Sequence, residues 1–251
     1  MTAPLVDQIL DLAALPQWQQ LFSHGRRLST TIEPWLTFKP LESSTPAQQM
    51  VRFALGKAHK THRAILILCG QGYGEDAAVL LRTLLELAID VRYMKLDPGE
   101  DRGQRWLDYY WVTRYEFSRT AAKSSLAEFD DVRQEIQQHP EVQERIEAEA
   151  RRVQQRWKFW KDEHKGNLVR PGNWHGSNTR QIPREIGWEL SYDLVYSQTS
   201  LLSHTSVRAA NDYLMETGVD DTTRLNAAPS ENYVERVVAS AAGYLHAIAA
   251  D

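Results

Sequence analysis

The feature that most constrains this chain is a helical period that hardly lapses. Between residues 77 and 91, Ala77, Leu80, Leu81, Leu84, Leu85, Ala88 and Val91 recur at spacings of three and four. That spacing lays apolar side chains along one face of an α-helix, whereas a strand needs a period of two. The period starts earlier, after Thr45-Pro46-Ala47-Gln48. There Thr45 supplies an N-cap, Pro46 suits a first turn and Gln48 completes a capping box. This helix is predicted to reach about Cys69. Leu5, Ile9 and Leu12 mark an N-terminal helix that Pro16 interrupts, and residues 24–44, with Pro34 and Pro40, read as irregular. Trp106, Tyr110, Thr113 and Phe117 predict another helix.

The strongly charged segment 128–163 is predicted to break at His139-Pro140 and then keep a narrow stripe of Val142, Ile146, Val153, Trp157 and Trp160. Residues 166–187 are rich in Gly, Pro and Asn and read as loop. A helix follows from about 188 to 216. Ser230 can cap a last helix whose Val234, Val237, Val238, Ala241, Leu245 and Ile248 face inward. No strand alternation, repeat or low-complexity tract interrupts this pattern. The expectation is an all-α, single-domain bundle of about six or seven helices. Within it, 1–44 forms a helix and an irregular arm, 45–216 a core carrying the long charged helix 141–163, and 230–250 the C-terminal helix.

Composition narrows the function classes. With 251 residues the chain can bury a sizeable core. A net charge of −4 gives no global basic field for nucleic acid or anionic membrane, so a nucleic-acid partner would need a local groove. The single Cys69, inside the apolar run AILILC, reads as core; it excludes an internal disulfide framework and a multi-cysteine zinc site. No apolar run approaches the roughly 20 residues of a spanning helix. The first residues mix acidic with apolar positions and carry no basic leader. These features read as a cytoplasmic protein without a membrane partner.

The chemistry-bearing residues concentrate late in the chain. Tyr192, Tyr196, Ser200 and His204 recur every four residues and share one helix face. A surface helix would place charge there, and a core helix leucine. Phenols, a hydroxyl and an imidazole suit a polar pocket between helices. Ser203 adjoins the stripe, and the loop carrying Trp174 and His175 precedes it. On the best-defined helix Arg82 and Glu86 stand four apart, as a surface ion pair or as the edge of a pocket.

Other motifs fail on their context. Gly70-Gln71-Gly72-Tyr73-Gly74 evokes a dinucleotide turn, but its third glycine falls one position early and both flanks have helical period. The glycines instead let two helices turn sharply. No G-x-S-x-G elbow supports a serine hydrolase. No pair of Glu-x-x-His motifs supports a di-iron bundle, and no carboxylate shares the turn of His59 and His62. No metal and no cofactor is expected.

The stretches GYGEDAAVLLRTLLELAIDVRYMKLDP, RWLDYY, NWHGSNTRQIPREIG and YDLVYSQTSLLSHTS together resemble the bacterial domain-of-unknown-function family 5677. That family's pattern is an L-x-R-x-x-x-E helix, a Tyr-rich helix, a Trp-containing loop and a Y-x-x-x-Y…S-x-x-x-H helix. The likeness covers about residues 70–215. It implies an all-α intracellular bacterial protein with no established activity. Its pattern residues here are Arg82, Glu86, Tyr109, Trp174, Tyr192, Tyr196, Ser200 and His204. A looser likeness is to helical ribonucleases carrying Arg, four to six residues, then His. Arg52…His59, Arg133…His139 and Arg170…His175 match by count, while His204 has no Arg at that distance.

The expected site joins the Arg82/Glu86 helix to the Tyr192–His204 helix under a Trp174-His175 lid. Arg82, Glu86, Tyr196 and His204 are its candidates for catalysis; Tyr109, Trp174, His175, Tyr192, Ser200 and Ser203 are its candidates for binding. The leading reading is a ligand- or partner-binding module, with a homodimer through helix 141–163. The alternative is a ribonuclease-like phosphodiester hydrolase with His204 as general acid or base.

Overall fold

The computed structural model describes residues 10–37, 44–97, 101–157, 173–176, 180–203, 214–217, 222–225 and 228–250. Its helices are α1 (Pro16–Ile32), α2 (Pro46–Gly70), α3 (Gly74–Lys95), α4 (Asp101–Lys123), α5 (Asp130–Gln138), α6 (Pro140–Arg156), α7 (Gln181–Glu185), α8 (Glu189–Ser203) and α9 (Val234–Ala250). Between α8 and α9, β1 (Leu214–Thr217) pairs antiparallel with β2 (Thr222–Leu225), Leu214 opposite Leu225. The all-α class therefore holds apart from one small hairpin, and the described residues form nine α-helices, more than six or seven.

The differences have local causes. Pro16 begins a helix; of the N-terminal helix expected before it, residues 5–9 lie outside the described residues, and Leu12 falls in a 3-10 turn, Leu12–Ala14. Pro16 occupies the first turn of α1, where its missing N–H has no partner to lose, so residues 24–32 are helical and not irregular. The loop 166–187 contains the single-turn-scale α7. Of the helix expected to reach 216, residues 204–213 lie outside the described residues and 214–216 belong to β1, whose four residues are too short to show alternation. Gly218, Asp220 and Asp221 were the turn signal beside it. Ser230 does not cap α9. Its Oγ accepts from the Asn232 N–H at 3.2 Å in the turn ahead of that helix. At α2, by contrast, the capping box forms: Gln48 N–H donates to Thr45 Oγ1 at 3.3 Å, and Thr45 N–H donates to Gln48 Oε1 at 3.1 Å.

The contacts divide the chain into two compact units. The first comprises Met1–Ser43, Val51–Leu96 and Thr179–Asp251; the second comprises Ser44–Met50 and Asp97–Asn178. In the first, α3 is central and packs against α8 and α9, while α1 packs against α9. Leu81, Leu84, Leu85, Ala88 and Val91 are buried, as are all six predicted positions of α9. Because α3 is covered on most sides, its polar residues are squeezed into a narrow strip. The glycine turn between α2 and α3 serves packing. Gly72 has φ +81°, accepts the Ser230 N–H at 2.8 Å, and would place a Cβ 2.7 Å from Pro229.

The first unit also buries two histidines. His62 is 0% exposed, and Ser29 Oγ lies 2.9 Å from its Nδ1. Burial, aided by the nearby His59, lowers the His62 pKa to about 4. The sign follows. Above pH 6.5 the ring is neutral in both folded and unfolded chains and contributes no slope. Below it the unfolded chain takes a proton that the folded one refuses until about pH 4, so stability falls through that window by up to about 3 kcal/mol. A His62→Gln variant should flatten this acid limb of urea-unfolding free energy against pH; an unchanged slope contradicts the assignment.

In the second unit α4 packs against α6, and Val112, Val153 and Trp157 form a core with Tyr109 and Trp111 against it. The stripe of α6 buries Ile146, Ala150 and Val153. Trp157, on the helix expected to dimerise, is 8% exposed, so this part of the apolar stripe is covered by its own unit, while Val142 at the start of the stripe stays 38% exposed. Trp160 lies outside the described residues. Among the described residues no helix is long and apolar enough to cross a membrane.

Candidate functional site

The polar strip of α3 meets the tyrosine face of α8 inside the first unit. Arg82 Nε–H donates to Glu86 Oε1 at 2.8 Å, the reach expected of an i,i+4 pair. The Arg82 guanidinium also stands 4.0 Å over the Tyr196 ring. Tyr196 stacks on Tyr192 with centroids 4.9 Å apart and planes 23° apart. Tyr192 is 5% exposed and anchors the stack. Arg82 and Glu86 side chains remain 30% and 49% exposed, so one edge of the cluster is open to solvent. Burial alone pulls the Arg82 pKa down, but the Glu86 hydrogen bond, the Glu86 charge and Tyr196 outweigh it, and the net shift is upward. The cation is fixed in place and already balanced by a carboxylate.

Local contacts set the register of α8. Trp188 precedes it, donating its N–H to Pro183 O at 2.7 Å and accepting the Tyr192 N–H at 2.9 Å. Its ring faces Arg92 of α3 at 5.3 Å and Tyr244 of α9 at 6.2 Å. Arg180 reaches Asp193 at 3.1 Å, and Arg184 reaches Glu189 at 2.6 Å. At the far end Arg236 donates to Gln198 Oε1 at 3.2 Å. The buried Tyr192 and the half-buried Trp188 hold the face of α8 that turns toward α3, and the exposed pairs add little to them.

Of the candidate residues, Arg82, Glu86, Tyr196 and Tyr192 come together. Ser200 lies half-buried on the same helix, one turn beyond Tyr196. Ser203 ends α8, and His204 lies outside the described residues. Trp174, His175 and Tyr109 belong to the second unit. There Gly176 N–H donates to Asn173 Oδ1 at 2.8 Å, and Trp174 meets His175 edge-on at 5.5 Å. Burial lowers the His175 pKa to about 4, leaving that ring neutral at pH 7. Tyr109 packs on the Val112–Val153–Trp157 core. Among the described residues no group of three or more His, Cys, Asp or Glu is placed to hold a metal.

Sequence reasoning passed over Asp108. It is 2% exposed and accepts from Trp157 Nε1 at 2.9 Å and from Gln104 Nε2 at 3.0 Å, with Arg152 Nη2 at 3.4 Å. Its signal was a lone carboxylate one turn before Val112 on the buried face of α4.

The sequence profile of a family of unknown function, DUF5677, matches residues 48–222. The chain belongs to the DUF5677 family. The match takes in α3 and α8, and so every described member of the Arg82–Tyr192 cluster. No curated protein and no solved structure is detectably similar to it.

Proposed function

We propose that this member of DUF5677 is a ligand- or partner-binding module, with the Arg82–Glu86–Tyr196–Tyr192 cluster as its recognition site. The carrying observation is a guanidinium held on a tyrosine ring at 4.0 Å while its edge stays open to solvent. Arg stacked on an aromatic and bonded to a carboxylate presents its remaining N–H donors in a fixed fork. Such a fork favours a planar acceptor, and Glu86 offers a complementary acceptor beside it. A homodimer through 141–163 is supported less well, because the apolar face of α6 already lies against α4.

The hydrolase alternative would use Arg82 to stabilise phosphate charge and His204 to move the proton. The 2.8 Å bond to Glu86 speaks against it, since a neutralised cation stabilises developing negative charge less well. Two variants test both readings. Arg82→Ala should fold with little loss of stability and lose the small molecule or partner that native mass spectrometry finds on the unmodified protein. RNA degradation by the purified protein that disappears in both Arg82→Ala and His204→Ala would instead establish the hydrolase.

A further inference from the structure

We propose that the outward face of α4, in the second unit, binds single-stranded nucleic acid. The stripe of Trp106, Tyr110, Thr113 and Phe117 that marks this helix in the sequence is not its packed side. Asp108, Val112 and Ser118 turn inward, while Tyr110 and Phe117 stay 51% and 54% exposed. Both rings are nevertheless held. Trp111 meets Tyr110 edge-on with centroids 5.3 Å apart, and Arg114 Nη1–H donates to the Tyr110 hydroxyl oxygen at 2.6 Å. Phe129 meets Phe117 edge-on at 6.1 Å. The two exposed rings stand seven positions apart on one face, roughly 10 Å along the helix axis. A ring already held in place, with one side open, loses little freedom when a flat partner stacks on it.

The charges beside the rings select the partner. Arg114 lies 5.8 Å from the Tyr110 centroid, and Arg145 of α6 stands 5.7 Å over Trp111. Arg114, Tyr110, Trp111 and Arg145 thus form one continuous row, each member against the next. Both arginines are exposed, and neither has a carboxylate partner among the described residues. No carboxylate stands one helical turn from Arg114. Of those one turn from Arg145, Glu149 is bonded to Arg152 at 2.7 Å and Glu141 lies 3.3 Å from His139. Uncompensated cations beside flat apolar rings fit a chain that alternates anions with flat rings. Phosphates meet Arg114 and Arg145, and bases stack on Tyr110 and Phe117. An acidic peptide would satisfy the cations and leave the rings bare. A duplex keeps its base faces stacked inside and offers only their edges. Because the rings read base faces and the arginines read phosphate, the surface discriminates neither base sequence nor sugar.

The test uses the full-length protein and fluorescence anisotropy of a labelled oligothymidine of about twelve nucleotides, within the span such surfaces cover. This probe lacks the 2′-hydroxyl that a ribonuclease attacks, so binding is read apart from any cleavage. It should bind saturably, and at least tenfold more tightly than a duplex of the same length or an oligoglutamate peptide. Phe117→Leu and Tyr110→Leu, which keep an apolar side chain and lose the flat ring, should each weaken binding about tenfold with unchanged circular dichroism. Phe117→Tyr should retain it. Arg114→Gln and Arg145→Gln should each lower the slope of log affinity against log salt by about 0.7. Arg82→Ala should leave the affinity as it is. The proposal is overturned if the probe does not saturate, or if the duplex or the acidic peptide binds as well. It is equally overturned if the ring and arginine variants leave the affinity unchanged, or if Arg82→Ala abolishes it, which would place the strand at the other cluster.

Discussion

Replacing Asp108 by Ala should lower the unfolding free energy by about 3 kcal/mol or more. The carboxylate is almost wholly buried yet fully engaged, by an indole N–H at 2.9 Å, an amide at 3.0 Å and the Arg152 guanidinium at 3.4 Å. Removing it orphans the Trp157 donor inside the core and leaves Arg152 and Arg156 without their shared counter-charge. The neutral Asp108→Asn substitution keeps an acceptor for Trp157, loses the charge felt by two half-exposed arginines, and puts an amide NH2 where Oδ1 accepts from Gln104, whose own amide can turn its oxygen to meet it. It should cost about 1 kcal/mol. Urea titrations followed by tryptophan fluorescence read both variants. A loss below 1 kcal/mol for Asp108→Ala would show that Trp157 is held by packing alone.

Gly74→Ala should be of similar size for a steric reason. A Cβ at Gly74 would stand 2.0 Å from the Asn232 carbonyl oxygen and 3.2 Å from the Val234 nitrogen. Both are backbone atoms at the entry to α9, so no rotamer change relieves the overlap. Either the start of α3 or the start of α9 must move, at about 3 kcal/mol. Gly243, inside α9, gives the control: a Cβ there meets nothing within 4 Å. Gly243→Ala should be neutral or stabilise by up to about 1 kcal/mol through helix propensity. Differential scanning calorimetry should show opposite shifts in Tm. Equal behaviour of the two variants would mean that the α2–α3 turn does not clamp the chain before α9.

What could be read from the sequence follows the range of the forces involved. The α3 and α9 stripes, the Thr45–Gln48 capping box and the break at Pro140 are local effects, written in spacings of three and four, and the structure places them as read. Pro16 was ambiguous because a proline ends one helix and starts another with equal ease. Only the chain after it, Trp18 to Ile32, decides. The role of Trp157 was hidden because its partner Asp108 lies 49 residues away. A stripe on α6 says that a face is buried, not against what. At the candidate site, the i,i+4 pairing of Arg82 with Glu86 was legible. The stack of Arg82 on Tyr196 was not, since it depends on how α8 is rotated about its axis. That rotation depends on tertiary contacts such as those of Trp188 with Arg92 and Tyr244, which no single-helix pattern encodes.

The central claim is that the Arg82 cluster recognises something and is not scaffold. The most direct measurement is the urea-unfolding free energy of Arg82→Ala against the unmodified protein. The guanidinium is part-exposed, and its ion pair and ring contact together are worth about 1 kcal/mol at such a position. A recognition site predicts a loss of about 1 kcal/mol or less, with unchanged circular dichroism. A loss of 3 kcal/mol or more would contradict it and make the cluster an internal strut between α3 and α8.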